Sequence, residues 1–132
     1  MGSTKRGAWK TMSLKTLALL SGIYDLALAW PLILVPVWVA GLTGAPAPVP
    51  VINAQLNGLF TLTLAVGYFW AAGAVEQRRG YLWVAGVLAK GGGALLFVLD
   101  HWLRHSPSSF LLFAVSDGSL AVLTLALLLK KR

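Results

Sequence analysis

Four apolar stretches follow one another along the chain, each broken at helical spacing by small or polar residues. They cover residues of about 14–37, 51–74, 81–103 and 108–129, and each is long enough to cross a hydrocarbon core as a helix. The first exceeds the roughly 7–15 residue core of a signal peptide and carries Asp25, so it reads as an uncleaved span. Between the stretches lie three connections. Gly41 to Pro50, with Pro46, Pro48 and Pro50, predicts a stiff extended loop; Val75 to Gly80 a tight polar turn; Arg104 to Ser109 a short loop in which Pro107 and Ser108 open the last helix. Pro31 predicts a kink in the first helix, because it removes the hydrogen bond to the Ala27 carbonyl.

The interruptions define one face on each helix. Ala18, Ser21, Gly22, Asp25, Ala29 and Leu32 share a face of the first. Asn53, Ala54, Asn57, Thr61, Ala65, Tyr68 and Ala72 do so on the second. Gly86, Lys90, Gly93, Ala94, Phe97 and His101 line the third, and Ala114, Asp117, Ala121 and Thr124 the fourth. Membrane helices associate through close packing of small residues and interhelical hydrogen bonds, since lipid is as apolar as leucine. The expectation is an all-α protein, an antiparallel up-down four-helix transmembrane bundle with a polar centre. It forms one domain over 14–129, flanked by a basic segment 1–13 and a basic tail 130–132.

Charge sharpens this picture. Asp25, Lys90 and Asp117 each fall within about two residues of a span midpoint, roughly 3 Å along the axis, so antiparallel neighbours bring them to one depth. A charge there is costly, faces inward and is usually paired. Two carboxylates against one ammonium balance when one aspartate carries a proton. Gly91-Gly92-Gly93, next to the lysine, predicts close approach of another backbone.

Composition agrees with a membrane protein: 58% of residues are hydrophobic and 11% charged, against about 45–50% and about 25% in soluble domains. The net charge of +7 raises nucleic acid as a partner, but its distribution argues against one. Lys5, Arg6, Lys10, Lys15, Arg78, Arg79, Lys130, Lys131 and Arg132 all fall on one side of a four-span layout, and only Arg104 on the other. The positive-inside rule then makes both termini cytoplasmic, in a multi-pass membrane protein. Trp9, Trp38, Trp70, Trp83 and Trp102 sit near predicted ends, as interfacial aromatics do. With no cysteine, thiolate, disulfide and iron–sulfur chemistry is excluded within the chain.

Candidate chemistry centres on Asp25, Lys90 and Asp117, with Tyr24 beside Asp25 and Asn57 on the second helix. They form either a proton relay or substrate site of a small transporter, or an ion-paired clasp that sets helix order. Asn53, Gln55 and Asn57 read as interhelical hydrogen bonds, or as recognition of a polar ligand. His101 and His105, four apart and near Asp100, raise a metal site, but no further His or Cys exists and none is expected. No triad order, phosphate loop or dinucleotide fingerprint is present.

Gly22-Ile23-Tyr24-Asp25, Asn57-Gly58-Leu59-Phe60 with Gly67-Tyr68, Gly86 with Lys90-Gly91, and Ser116-Asp117-Gly118 resemble a set of small four-span bacterial inner-membrane proteins of uncharacterised function. The resemblance spans most of the chain after residue 13 and implies fold and location, not activity. In size and layout the chain is also similar to the small multidrug resistance transporters, which carry a glutamate in the first span. Asp25 would take that place, while Lys90 and Asp117 depart from the pattern.

The function expected is that of a non-enzymatic accessory or interaction subunit with a structural Asp-Lys-Asp cluster. The alternative is a proton-coupled transporter of a small solute using Asp25, Lys90 and Asp117. A membrane enzyme acting on a lipid or quinone is a third reading. No cofactor is expected; the partners are the lipid bilayer and a second copy or a larger membrane complex.

Overall fold

Ser13 opens the first helix. Its extended backbone and a side chain that accepts from the Thr16 N–H at 3.1 Å make it an N-cap. The computed structural model describes residues 12–130, so Lys5, Arg6, Trp9, Lys10, Lys131 and Arg132 lie outside the described residues. The fold is all-α, 81% helical, with no strand among the described residues. Its helices are α1 (Leu14–Leu34), α2 (Pro36–Thr43), α3 (Ile52–Ala72), α4 (Arg79–Arg104) and α5 (Phe110–Leu129). Three of them, α1, α4 and α5, are long and apolar enough to cross a membrane. Helix α3 has the same 21 residues as α1, but Asn53, Gln55 and Asn57 make its first turns polar.

Several expected boundaries move. Pro31 lies inside α1, and the expected first span is broken at Val35, with φ −137° and ψ 54°. The cause is Pro36, whose ring disfavours helical backbone in the residue before it. The eight residues after Val35 form α2, absorbing Gly41, Leu42 and Thr43 from the expected loop. Gly44 ends α2 at φ 73°, a left-handed conformation that glycine takes without strain, and its N–H reaches the carbonyls of Ala40 and Gly41. Helix α4 starts two residues earlier than expected, at Arg79. It also carries a π-helical stretch, Leu82–Ala89, that ends immediately before Lys90. Wider π turns rotate every later side chain relative to a regular helix, so this stretch sets the direction in which Lys90 points.

The described residues are sorted inside-out compared with a soluble protein. Small residues dominate the buried set, among them Ala18, Ser21, Ala29, Ala65, Ala71, Ala85, Ala114, Ala121 and Thr124, with Leu14, Leu17, Tyr68, Leu82 and Leu128 as its large apolar members, whereas Leu, Val, Ile, Phe and Trp crowd the exposed surface. Such a surface is unstable in water and suited to lipid. The predicted faces are recovered on α1, where all but the half-buried Leu32 are buried, and on α5, where only Asp117 is half-buried. On α3 the face is buried from Ala65 onward, while Asn53 and Asn57 are exposed.

Glycines mark the closest helix contacts. A Cβ at Gly58 on α3 would lie 2.8 Å from Ile33 Cγ1 and 3.0 Å from the Ala29 carbonyl oxygen on α1. One at Gly22 would meet Phe69 and Tyr68, and one at Gly86 would lie 2.8 Å from Thr124 Cγ2 on α5. The triple glycine behaves differently from expectation: Gly91 is at ordinary contact distance from Ala121, and Gly92 and Gly93 face nothing within 4 Å. Gly92→Ala is therefore expected to leave the melting temperature of the solubilised protein unchanged or raised, as helix propensity favours alanine by about 1 kcal/mol. A fall of several degrees would show a close contact there.

The two ends of the molecule differ. At one, Lys15, Arg79 and Lys130 surround a common crevice, the Arg79 guanidinium donates to the Leu128 carbonyl at 2.8 Å, and Arg78 lies 4.4 Å over the Trp70 ring. At the other, Ser109 Oγ donates to the Thr43 carbonyl and ties the start of α5 to the end of α2. Trp30, Trp38, Trp70, Trp83 and Trp102 are all exposed.

Candidate functional site

Asp25, Lys90 and Asp117 meet. Asp25 comes from the buried face of α1, Lys90 follows the π-helical stretch of α4, and Asp117 comes from α5. Lys90 Nζ lies 2.6 Å from Asp25 Oδ1 and 3.6 Å from Asp117 Oδ1. The first is a charge-assisted hydrogen bond; the second is too long for one and acts through charge alone. The Asp25 and Lys90 side chains are each 5% exposed and that of Asp117 18%, so the third member is the accessible one. Asp25 Oδ2 is buried with no hydrogen-bond partner.

Aromatic rings complete the shell. Lys90 Nζ is 4.9 Å from the centre of the Tyr24 ring and 5.5 Å from that of Tyr68, distances at which a ring face attracts a cation. The Tyr24 hydroxyl is hydrogen-bonded to Ser116 Oγ at 2.5 Å, linking α1 to α5 one residue before each aspartate. The ammonium thus has one tight anion, one loose anion and two ring faces.

A cavity of about 460 Å³ adjoins the cluster, lined by Asp25, Lys90, Asp117, Asn57, Thr61, Leu28, Leu32, Leu64, Ala89, Phe97, Phe110 and Phe113. That volume lies within the range of small-molecule sites. It extends from the cluster toward the α2–α5 end only. The half nearer Lys15 and Arg79 is filled by a packed core that includes Leu14, Ala18, Tyr68, Ala71, Leu82, Ala85 and Leu128. The three phenylalanines lie with ring centres 5.6 to 6.4 Å apart, an apolar wall opposite the charged floor.

All five candidate site residues are accounted for. Asp25, Lys90 and Asp117 form the cluster, Tyr24 is its ring and hydroxyl link, and Asn57 is an exposed lining residue of the cavity. Of the three amides, Gln55 makes the interhelical bond, to the Ile33 carbonyl at 3.1 Å. Sequence reasoning passed over Phe110 and Phe113. Their signal was spacing: Phe110 and Phe113 precede Asp117 by seven and four residues, and Phe97 follows Lys90 by seven, so each shares its face. The histidines do not converge. His101 Nδ1 lies 2.8 Å from the Ser106 carbonyl oxygen, His105 ends α4 in a left-handed conformation, and Asp100 pairs with Arg104 at 2.9 Å. No group of three His, Cys, Asp or Glu able to hold a metal exists among the described residues.

This arrangement can bind a solute's polar end through Asp117 and Asn57, its apolar body against phenyl rings, and hold a proton on either carboxylate. No protein-family model matches the chain, and comparison with curated proteins and with solved structures gives no match.

Proposed function

We propose that this chain is a four-span integral protein of a bacterial inner membrane that binds a small solute in the cavity and couples its movement to a proton held by the Asp25–Lys90–Asp117 cluster. The observation that carries the proposal is the cavity itself: a purely structural clasp needs no space beside it, yet this one borders about 460 Å³. In the proposed topology α3 is the fourth span, the helices alternate in direction and both termini face the cytoplasm. Support comes from Lys15, Arg79 and Lys130 gathering at one end and from the paired order of contacts, Gly22 with Phe69 and Gly58 with Ile33. The cavity then opens away from the cytoplasm, and the packed core closes the other side. No residue is proposed as catalytic. The resemblance to small four-span inner-membrane proteins fits the location.

Asp117 is the group proposed to meet the solute. In purified protein screened against small solutes by thermal unfolding, a stabilising solute is expected to bind about tenfold more weakly to Asp117→Asn, the size of one hydrogen bond to a charged group. In proteoliposomes, solute-driven proton movement is expected to vanish in Asp25→Asn. If both variants match the unaltered protein in stability and activity, the coupling is lost.

The tight, buried Asp25–Lys90 contact favours one competing reading, an accessory subunit in which the cluster only locks α1 to α4. Native mass spectrometry after gentle extraction separates the two. A stoichiometric larger partner supports the accessory reading; a monomer or homo-oligomer carrying a small ligand supports transport.

A further inference from the structure

A second cavity lies at the other end of the molecule, about 420 Å³ in volume, where the start of α1, the turn before α4 and the end of α5 converge. Three cations border it, Lys15, Arg79 and Lys130, and its remaining wall includes Leu14 and Leu127. We infer that this crevice is a binding site for the headgroup of an anionic phospholipid, its phosphate held by the three cations and the first part of its acyl chains lying on the leucines.

Arg79 is the fixed point. Its side chain is 17% exposed, one arm of the guanidinium donates to the Leu128 carbonyl at 2.8 Å, and the other lies 3.6 Å from Glu76. The planar group is therefore oriented before any ligand arrives, which reduces the ordering cost of binding. Lys15 and Lys130 are exposed, and the long stem of a lysine suits each to close over a phosphate. The positive end of α1 also lies at this crevice, since Ser13 and Leu14 line it. Glu76 cancels one charge, leaving a net of two positive, matched to a monoanionic or dianionic headgroup. A zwitterionic headgroup brings its own ammonium into this field and is disfavoured. The apolar wall separates a lipid from a soluble phosphate, which has nothing to place on leucine.

The site is independent of the solute cavity, since no lining residue is shared. The test is native mass spectrometry of the full chain released from bilayer discs made of phosphatidylglycerol and phosphatidylcholine in equal amounts. Preferential retention of phosphatidylglycerol is expected. Arg79→Gln is expected to lower that preference about fivefold, the effect of one basic residue near an anionic surface, and Glu76→Gln to raise it. Because Arg79 also holds the end of α5, Lys15→Gln with Lys130→Gln provides a variant that alters exposed side chains alone, and it too must lose the preference. Retention unchanged in that variant overturns the site. So does thermal protection by inorganic phosphate equal to that by phosphatidylglycerol, which would make the occupant a soluble anion.

Discussion

Lys90→Met is expected to destabilise the protein by about 3–5 kcal/mol, the cost of stripping a buried carboxylate of its partner. Asp25 is 3% exposed, one of its oxygens already lacks a partner, and the other holds Lys90 at 2.6 Å. Asp117, on the far side of the ammonium, would face Asp25 with no cation between them. Thermal unfolding of the detergent-solubilised protein measures the loss. The companion variant is Asp25→Leu with Lys90→Met, where both charges go. A buried ion pair replaced by apolar side chains of similar size is often neutral, so most of the stability is expected to return. That doubly altered protein separates structure from function: a clasp survives the exchange, whereas solute coupling does not. A melting temperature for Lys90→Met equal to that of the unaltered protein would remove the pair from the account of the fold.

Gly58→Leu is expected to destabilise the protein by about 1–3 kcal/mol. Its Cβ alone would come 2.8 Å from Ile33 Cγ1, 2.9 Å from Leu32 Cβ and 3.0 Å from the Ala29 carbonyl oxygen. The last is backbone and cannot rotate away, so α1 and α3 must separate. Separation also stretches the bond from Gln55 to the Ile33 carbonyl, and it opens the cavity wall formed by Leu32 and Thr61. Melting temperature and solute-induced stabilisation should fall together. If Gly58→Leu melts no lower than Gly92→Ala, the α1–α3 contact is not where the tertiary stability lies.

Much of the site was legible before folding. Ser21, Gly22, Asp25 and Ala29 repeat at the spacing of one helix face, and a charge amid apolar residues turns inward, so the burial of Asp25 and Lys90 and their meeting with Asp117 were legible. Other readings missed because their causes are not periodic. The break at Val35 depends on backbone sterics before Pro36. The π-helical stretch of α4 has no compositional mark. The triple glycine looked like a packing face, yet a Cβ at Gly92 or Gly93 would meet open space, while single glycines at 22, 58, 67 and 86 make the tight contacts.

What the sequence determined by itself was local and one-dimensional: apolar helices, three of them long enough to cross a membrane, and a face of small and polar residues that turns inward on α1 and α5. These follow from helix periodicity and from the cost of charge in hydrocarbon, which act on every segment separately. Only the tertiary structure decided that Asp25 holds Lys90 tightly and Asp117 loosely, that the cavity lies on one side of the cluster and a sealed core on the other, and that three cations share a crevice. Those are outcomes of how helices rotate and approach one another, and a side chain's neighbours across a helix pair are set by packing between distant residues rather than by any spacing within one.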